Sequence, residues 1–139
     1  MIKFIWAVVC ERISIEQSTN SVSYLTCIEG VTVTQLPAAV LALALGSRWF
    51  KTTNEKVKID IRLDLLAPDN RETRLIEGDQ TIEMENHRIF FQLNGLTFDV
   101  PGIYKFRLSF KETNDWIIAQ EIPLTVILAP KEPKNEIAR

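Results

Sequence analysis

The sequence lacks most of the residues and motifs from which catalytic sites are built. In 139 residues it has one histidine and two cysteines, and its five glycines are isolated from one another. No Gly-x-Ser-x-Gly, Cys-x-x-Cys or His-Glu-x-x-His pattern occurs, so the signatures of a serine hydrolase and of a zinc site are missing. A glycine-rich phosphate-binding loop is missing too. We therefore favour a protein that is not an enzyme and needs no cofactor.

Charge and the length of the apolar runs exclude two further classes. The 16 Lys and Arg residues are outnumbered by 18 Asp and Glu residues, which gives a net charge of −2. A general nucleic-acid binder normally carries a basic surplus. No apolar stretch approaches the roughly 20 residues that a membrane-spanning helix needs. We expect neither nucleic acid nor a membrane as a partner.

The N-terminal apolar run, residues 4–10, resembles the beginning of a signal peptide. It is only seven residues long, and no small-x-small cleavage site follows it. We interpret it as a buried first strand and expect a cytoplasmic protein. The thiols of Cys10 and Cys27 are then reduced. If the turn between their strands centres on Ser18 and Thr19, the two cysteines face each other and could bridge.

The dominant period of the sequence is two, which is typical of half-buried strands. In residues 57–65 every odd position is aliphatic and every even one charged, and residues 104–111 alternate between apolar and polar side chains. Turn-forming residues, such as those at 68–70, separate such runs. The pattern predicts an all-β fold, an antiparallel two-sheet sandwich of about seven to nine strands. We place strands near residues 2–15, 22–35, 38–50, 56–67, 72–77, 80–85, 88–100, 103–112 and 116–128.

The chain divides into one domain and a tail. A chain of this length can bury about two-thirds of its unfolded surface, so it needs no disulfide or metal to fold. We predict that residues 1–128 form the β-sandwich domain. Residues 129–139 contain Pro130, Pro133 and polar residues of mixed charge. They leave nothing to bury, which predicts a flexible, disordered tail.

Residues 38–45 are open to two interpretations. Good helix formers follow Pro37, and the run ends at Gly46, as in a helix. Leu and Ala alternate strictly from Leu41, however, and both neighbouring segments look like strands, so we favour a strand. It is then apolar on both faces, like residues 4–10, and such strands are covered on both faces. This predicts a protein partner or self-association as a homo-oligomer. A loop or a side-chain overhang from the same chain is the alternative.

The most pointed candidate for chemistry is the row Glu83, Glu85 and His87. Alternation places all three on one face of a strand, and two carboxylates with an imidazole can bind a divalent transition metal. Residues two apart on a strand are separated by about 6.5–7 Å, so the three converge only if the strand bends. The simpler interpretation is a solvated acidic face opposite Ile82 and Met84. A metal-dependent enzyme is our third hypothesis.

Aromatic residues at strand ends provide a candidate binding surface. Trp49, Phe50 and Trp116 lie beside predicted turns, where exposed rings can stack on a sugar or a peptide. Rings at strand ends also serve as lids on a sandwich core. A carbohydrate- or peptide-binding sandwich is therefore the alternative to our first hypothesis. That first hypothesis is a non-catalytic module that acts through protein–protein contacts.

Two resemblances support the predicted sandwich. The stretch Asp99-Val100-Pro101-Gly102-Ile103-Tyr104 resembles the corner before a late strand of immunoglobulin-like sandwiches, where Asp, Gly and Tyr recur as D-x-x-G-x-Y. The resemblance implies that Tyr104 packs inward and that its hydroxyl bonds to upstream backbone. Phe106 stands where the core cysteine of an antibody-type domain would be.

The whole chain is similar to a family of small bacterial β-sandwich proteins with a domain of unknown function. The similarity is carried by residues 7–11 (AVVCE), residues 24–31 (YLTCIEGV) and the Pro-Gly-x-Tyr corner. It spans about 128 residues and implies the fold and a cytoplasmic bacterial origin. It implies no activity.

Overall fold

The computed structural model describes residues 1–130, which form eleven strands and no helix. The predicted all-β sandwich is confirmed. Among these residues no helix is long and apolar enough to cross a membrane. The predicted tail lies, from residue 131 onwards, outside the described residues. The strands are β1 (Ile2–Ile15), β2 (Val22–Cys27), β3 (Gly30–Val33), β4 (Ala38–Val40), β5 (Ala44–Lys51), β6 (Val57–Leu66), β7 (Glu72–Ile82), β8 (Asn86–Gln92), β9 (Leu96–Phe98), β10 (Gly102–Lys111) and β11 (Ile117–Leu128).

Nine of the strands form the two layers of the sandwich. The four-stranded sheet has the order β2-β1-β5-β8, and the five-stranded sheet has the order β3-β11-β10-β6-β7. The short strands β4 and β9 pair only with each other. Neighbouring strands are antiparallel, except that β3 runs parallel to β11. β7 and β8 are the end strands of their sheets, so the connection between them closes one side of the sandwich. The opposite side is formed by β1 and β2 of the four-stranded sheet and by β3 and β11 of the five-stranded sheet.

The core lies between the inner faces of the two sheets. The odd positions of β6 point into it, as the alternation predicts, and Ile59, Ile61 and Leu63 are at most 2% exposed. From the other sheet, the Trp49 ring packs edge-on against Phe110 of β10, with 5.1 Å between ring centroids. Large apolar side chains from both layers thus bury one continuous cluster, which supplies most of the stabilisation of a sandwich.

The even positions of β6 carry charges that pair with neighbouring strands. Lys58 lies 3.5 Å from Asp79 of β7, and Asp60 lies 3.8 Å from Lys111 of β10. Asp64 accepts a hydrogen bond from Arg74 of β7. The alternating charges of residues 57–65 therefore serve as cross-strand partners on the outer face of the five-stranded sheet.

Three predicted strands are interrupted, and two others are joined into one. The segment 22–35 breaks at residues 28–29, where the chain crosses from the four-stranded to the five-stranded sheet. The segment 38–50 breaks at residues 41–43. Its first part is β4, which pairs with β9, and its second part is β5 of the four-stranded sheet. Both parts are strands, as we favoured over a helix. The segment 88–100 divides into β8 and β9. The break that we predicted within 72–85 is wrong, because β7 continues through Gly78, which pairs with Ile61.

The corner before β10 is pinned by Tyr104. Its hydroxyl donates a hydrogen bond to the carbonyl oxygen of Val100 (2.6 Å) and accepts one from the Val100 amide (3.2 Å). The ring is 1% exposed and packs edge-on against Phe98. Gly102 has a φ of +131°, and a Cβ there would lie 2.8 Å from the Pro68 ring. The bond to upstream backbone is the one expected for Tyr104.

The outer face of β1 is partly covered by the same chain. Trp6 packs edge-on against Tyr24 of β2 (5.0 Å between centroids), and Tyr24 packs against Phe90 of β8 (6.3 Å). Trp6 and Val8 are half-buried, whereas Ile5 remains 43% exposed. A side-chain overhang from the same chain therefore accounts for part of the cover that a strand with two apolar faces requires.

Candidate functional site

The three candidate metal ligands do not form a row in the structure. Glu83 and Glu85 lie in the turn between β7 and β8, and His87 lies on β8. Glu83 pairs instead with Lys56, at 3.1 Å. Within residues 1–130, no three His, Cys, Asp or Glu side chains lie close enough together to hold a metal ion. The strand that would have aligned the three residues ends at Ile82.

The three candidate ligand-binding aromatics do not form one surface. Trp49 is fully buried, and its Nε1 donates a 2.8 Å hydrogen bond to the Ser47 hydroxyl, which donates one of 2.8 Å to the Ile89 carbonyl oxygen. Phe50, its neighbour on β5, is half-buried. Trp116 is half-buried before β11, and the Arg62 guanidinium lies 4.0 Å from its ring centroid. One ring thus belongs to the core and another is already stacked by a cation.

The two cysteines face each other across strands. Cys10 of β1 and Cys27 of β2 are Cα partners in the antiparallel register, and both are free thiols. Cys10 is buried and Cys27 is exposed. Burial, and secondly the proximity of Cys27, raise the pKa of the Cys10 thiol. The raised pKa favours the protonated thiol of Cys10, which is not nucleophilic, over the reactive thiolate.

A polar cavity opens on the outer face of the four-stranded sheet. The turn between β1 and β2 forms one wall, and β5 and β8 form the floor and the other wall. Its volume is about 510 Å³, which is within the range of small-molecule sites. We call it the arginine pocket. Its lining residues are Trp6, Thr19, Asn20, Ser21, Val22, Tyr24, Arg48, Asn86, His87 and Arg88.

Arg48 and Arg88 define the electrostatics of the arginine pocket. They are direct cross-strand partners in the register of β5 and β8. Arg48 donates a hydrogen bond to the Asn86 side-chain oxygen (3.1 Å), and Arg88 donates one to the Asn20 carbonyl oxygen (2.8 Å). In the described part of the chain, neither guanidinium forms an ion pair with a carboxylate. Like charges directly opposite one another destabilise a sheet.

One further polar group on the pocket wall, the Tyr24 hydroxyl, is buried without a partner among residues 1–130. Nε2 of His87 is also buried without a partner there, but His87 is the cross-strand partner of Trp49, so its side chain lies on the inner side of β8. Burial raises the pKa of Tyr24, which the charges of Arg88 and Arg48 partly oppose. Burial also lowers the pKa of His87 from its ordinary value of 6.5, so the imidazole is neutral at pH 7. The Tyr24 ring lies over Gly46, where a Cβ would come within 2.3 Å of the ring.

A second, apolar cavity lies on the open side of the sandwich, between β1 and β11. Its volume is about 310 Å³. We call it the edge cleft. It lies where the chain crosses between the two sheets after β2. Its lining residues are Ala7, Val8, Val9, Cys27, Ile28, Glu29, Ile122 and Pro123.

The edge cleft is flanked by strand segments that lack a neighbour on one side. In the described part of the chain, residues 2–8 of β1 pair only with β5, and residues 117–124 of β11 pair only with β10. Each segment contains a β-bulge, with Ile5 as the extra residue of β1 and Ala119 as that of β11. Ile5, Ile117 and Ile118 are each between 43% and 54% exposed. We call these three exposed side chains the apolar strip.

The sequence contained no signal for the arginine pocket. Arg48 and Arg88 are forty positions apart, and no motif in either strand distinguishes them. Only the register between β5 and β8 places them opposite one another. The edge cleft has a signal in the sequence, because residues 4–10 are apolar at both alternating sets of positions.

Comparisons with known structures find β-glucosidases of low similarity. One from Erythrobacter marinus is 13% identical, with a TM-score of 0.49, and the match covers 91% of this chain and 15% of that one. One from Listeria innocua, in complex with gluconolactone, is 9% identical with a TM-score of 0.43; the match covers 93% of this chain and 16% of that one. The chain thus spans under one-fifth of these proteins, and TM-scores below 0.5 support no transfer of fold or function.

The comparison with curated proteins finds no match. The comparison with family models does find one. Residues 5–127, the whole sandwich from β1 into β11, match the model of DUF6941, a family of unknown function. The chain therefore belongs to the DUF6941 family.

Proposed function

We propose that the chain is a non-catalytic, immunoglobulin-like module that acts in the cytoplasm through protein–protein contacts, and that its first partner is a second copy of itself. The observation that carries this proposal is the edge cleft between two strand segments without outer neighbours. Exposed apolar strips of this kind mark interaction surfaces.

The free edges limit what kind of partner fits. The Thr125 amide donates to the Glu29 carbonyl oxygen, so it points away from β10. Alternate residues of a strand direct their main-chain groups to the same side, so Pro123 occupies the next outward position. Proline has no N–H to donate there. Together with the bulges at Ile5 and Ala119, it opposes the addition of a regular strand.

A second copy satisfies these restrictions. It can pack its own apolar strip against this one through side chains, with few main-chain hydrogen bonds. A two-fold arrangement makes the same patch serve on both partners and closes the assembly at two copies. The net charge of −2 is small, so electrostatic repulsion between two copies is weak.

The test is the molar mass in solution, measured by light scattering and sedimentation over micromolar to millimolar concentrations. We expect the wild type to reach the mass of a dimer and Ile118→Lys to remain a monomer. Met84→Lys is the matched control, because Met84 is 72% exposed in the turn that closes the opposite side. A wild type that stays monomeric throughout, or equal effects of both variants, would overturn self-association through the edge cleft.

A further inference from the structure

We propose that the arginine pocket is a binding site for the phosphate group of a small organic phosphate. Arg48 and Arg88 hold the phosphate between them, and the organic part lies against Trp6. This site is on a different face from the edge cleft, and the inference does not depend on self-association.

The first argument is the electrostatic cost of the arrangement. Arg48 and Arg88 are opposed across two hydrogen-bonded strands, and the side chains that they contact, Asn86 and Asn20, are neutral. Like charges at such positions repel. A bound dianion removes this repulsion and turns both charges into attractive contacts.

Four of the other five arginines among residues 1–130 show what ordinary structural use looks like, and the fifth, Arg12, is exposed on β1. Arg71, Arg74 and Arg107 each contact two carboxylates, and all three pKa values are raised, chiefly by hydrogen bonds to those carboxylates. The Arg62 guanidinium stacks on Trp116. The two arginines of the pocket therefore differ from the structural arginines of the same protein, although the chain has a surplus of acidic residues.

The second argument is the number of hydrogen-bond donors that remain available. A guanidinium has five N–H donors in a planar fork, which matches the oxygens of a phosphate. Arg48 uses its Nη2 atom on Asn86, and Arg88 uses Nη1 and Nη2 on Asn20. These contacts hold both side chains at the wall of the cavity and leave further donors for a ligand. Fixed guanidinium groups lose less entropy when they bind.

The third argument is the composition of the walls. Trp6 and Tyr24 provide an aromatic wall, and the side chains of Thr19, Asn20 and Ser21 provide short polar groups from the turn. The cavity of about 510 Å³ is far larger than an inorganic ion requires. An anionic group attached to a ring or a short carbon skeleton fits this combination of charge, polarity and volume.

A phosphate fits better than a carboxylate because of its charge. A phosphate monoester carries a charge of about −1.5 to −2 near pH 7, which balances two guanidinium groups. A single carboxylate balances only one of them. The choice between these two oxyanions can be measured directly with two probes that share the same ring.

The experiment is titration calorimetry of the full chain with phenyl phosphate, benzoate and inorganic phosphate at low and at moderate salt. We expect saturable binding of phenyl phosphate, weaker binding of inorganic phosphate because it cannot contact Trp6, and still weaker binding of benzoate. Arg48→Gln and Arg88→Gln should each weaken phenyl phosphate binding by about 10- to 100-fold, as the loss of charge-assisted hydrogen bonds predicts.

Arg12→Gln is the matched control for these variants. Arg12 is exposed on β1 of the same sheet but does not line the cavity, so the variant changes the net charge equally and should bind within about 2-fold of the wild type. Circular dichroism of each variant excludes unfolding. Because Arg88 also holds the β1–β2 turn, Arg48→Gln decides the result if Arg88→Gln is unfolded.

Three outcomes would overturn the proposal. One is the absence of saturable phenyl phosphate binding up to about 10 mM. The second is an equal loss of affinity in Arg12→Gln and Arg48→Gln, which would indicate only general charge attraction. The third is benzoate binding as tight as phenyl phosphate, which would replace the phosphate assignment with a carboxylate site.

Discussion

Charged side chains are arranged differently on the outer faces of the two sheets. On the five-stranded sheet, Asp64 and Glu77 both contact Arg74, and Arg107 joins Glu72 and Glu121. On the four-stranded sheet, by contrast, Arg48 faces Arg88, and the surface near them combines aromatic rings with uncharged polar side chains. One face is arranged as ordinary cross-strand pairing predicts, and the other is not.

This difference bears on which face stabilises the fold and which face is suited to bind a ligand. Neutralised charge pairs on a solvated face contribute little to stability and do not require any ligand. An uncompensated pair of guanidinium groups beside a cavity costs stability, and sequences depart from local optima mainly at functional sites. The outer face of the four-stranded sheet is therefore where a ligand should be sought. Three matched pairs of substitutions test the contrast, and a pH titration tests the inner side of the same sheet.

The largest effect is expected from the glycines. Gly46 lies beneath the Tyr24 ring, and Gly78 of β7 has no atom within 4 Å of an added Cβ. Gly46→Ala forces the ring off the sheet and should lower the free energy of unfolding by about 1–3 kcal/mol. Gly78→Ala should be neutral or slightly stabilising, because alanine reduces the entropy of the unfolded chain. Urea denaturation of both variants measures the difference; equal effects would show that Tyr24 does not pack tightly on β5.

The two tyrosines provide the second pair. The Tyr104 hydroxyl makes two hydrogen bonds to Val100, whereas the Tyr24 hydroxyl is buried without a partner among residues 1–130. Tyr104→Phe should cost about 1 kcal/mol, the usual net value of such a bond. Tyr24→Phe should cost nothing, because it removes a desolvated group that gains no bond in the free protein. Chemical denaturation of each variant measures these costs, and a larger loss for Tyr24→Phe than for Tyr104→Phe would reverse the comparison.

The alternation of residues 57–65 predicted β6 and its two faces correctly, because a period of two determines which side chains turn inward. The same period carries no information about which sheet a strand joins. Residues 22–35 therefore looked like one strand, although the chain changes sheets at residues 28–29. At Gly78 the pairing with β6 overrode the turn preference of Glu77-Gly78-Asp79, and the turn lies at residues 83–85 instead.

The candidate site was less predictable than the fold for a related reason. A binding site assembled across a sheet depends on register, and register depends on turns and bulges that the sequence only suggests. Arg48 meets Arg88 because β8 pairs antiparallel with β5 from Ala44 to Phe50. The displaced turn also explains why Glu83, Glu85 and His87 do not share a strand.

The pH dependence of stability provides a third test, on the inner side of the four-stranded sheet, where His87 lies opposite Trp49. Burial lowers the pKa of His87 below its ordinary 6.5, so the folded state favours the neutral imidazole. As the pH falls below 6.5, the unfolded chain binds the proton first, and the free energy of unfolding decreases until the folded pKa is reached. His87 is the only histidine. Between pH 7.0 and about 5.5, His87→Gln should therefore remove most of this slope in urea denaturation; an unchanged slope would contradict the assignment.

The smallest expected effect separates the two faces most directly. Lys58 lies 3.5 Å from Asp79, with both side chains largely exposed, so Lys58→Met should lower the free energy of unfolding by at most about 0.5 kcal/mol. Arg48→Met removes a repulsion instead, so without ligand and at low salt it should leave stability unchanged or raise it by a similar amount. Added salt should reduce both effects, because it screens exposed charges. Precise urea denaturation at two salt concentrations measures the signs. Loss of stability in Arg48→Met at low salt would mean that Arg48 stabilises the fold. The charged residues of both faces would then contribute to stability, although they are arranged differently.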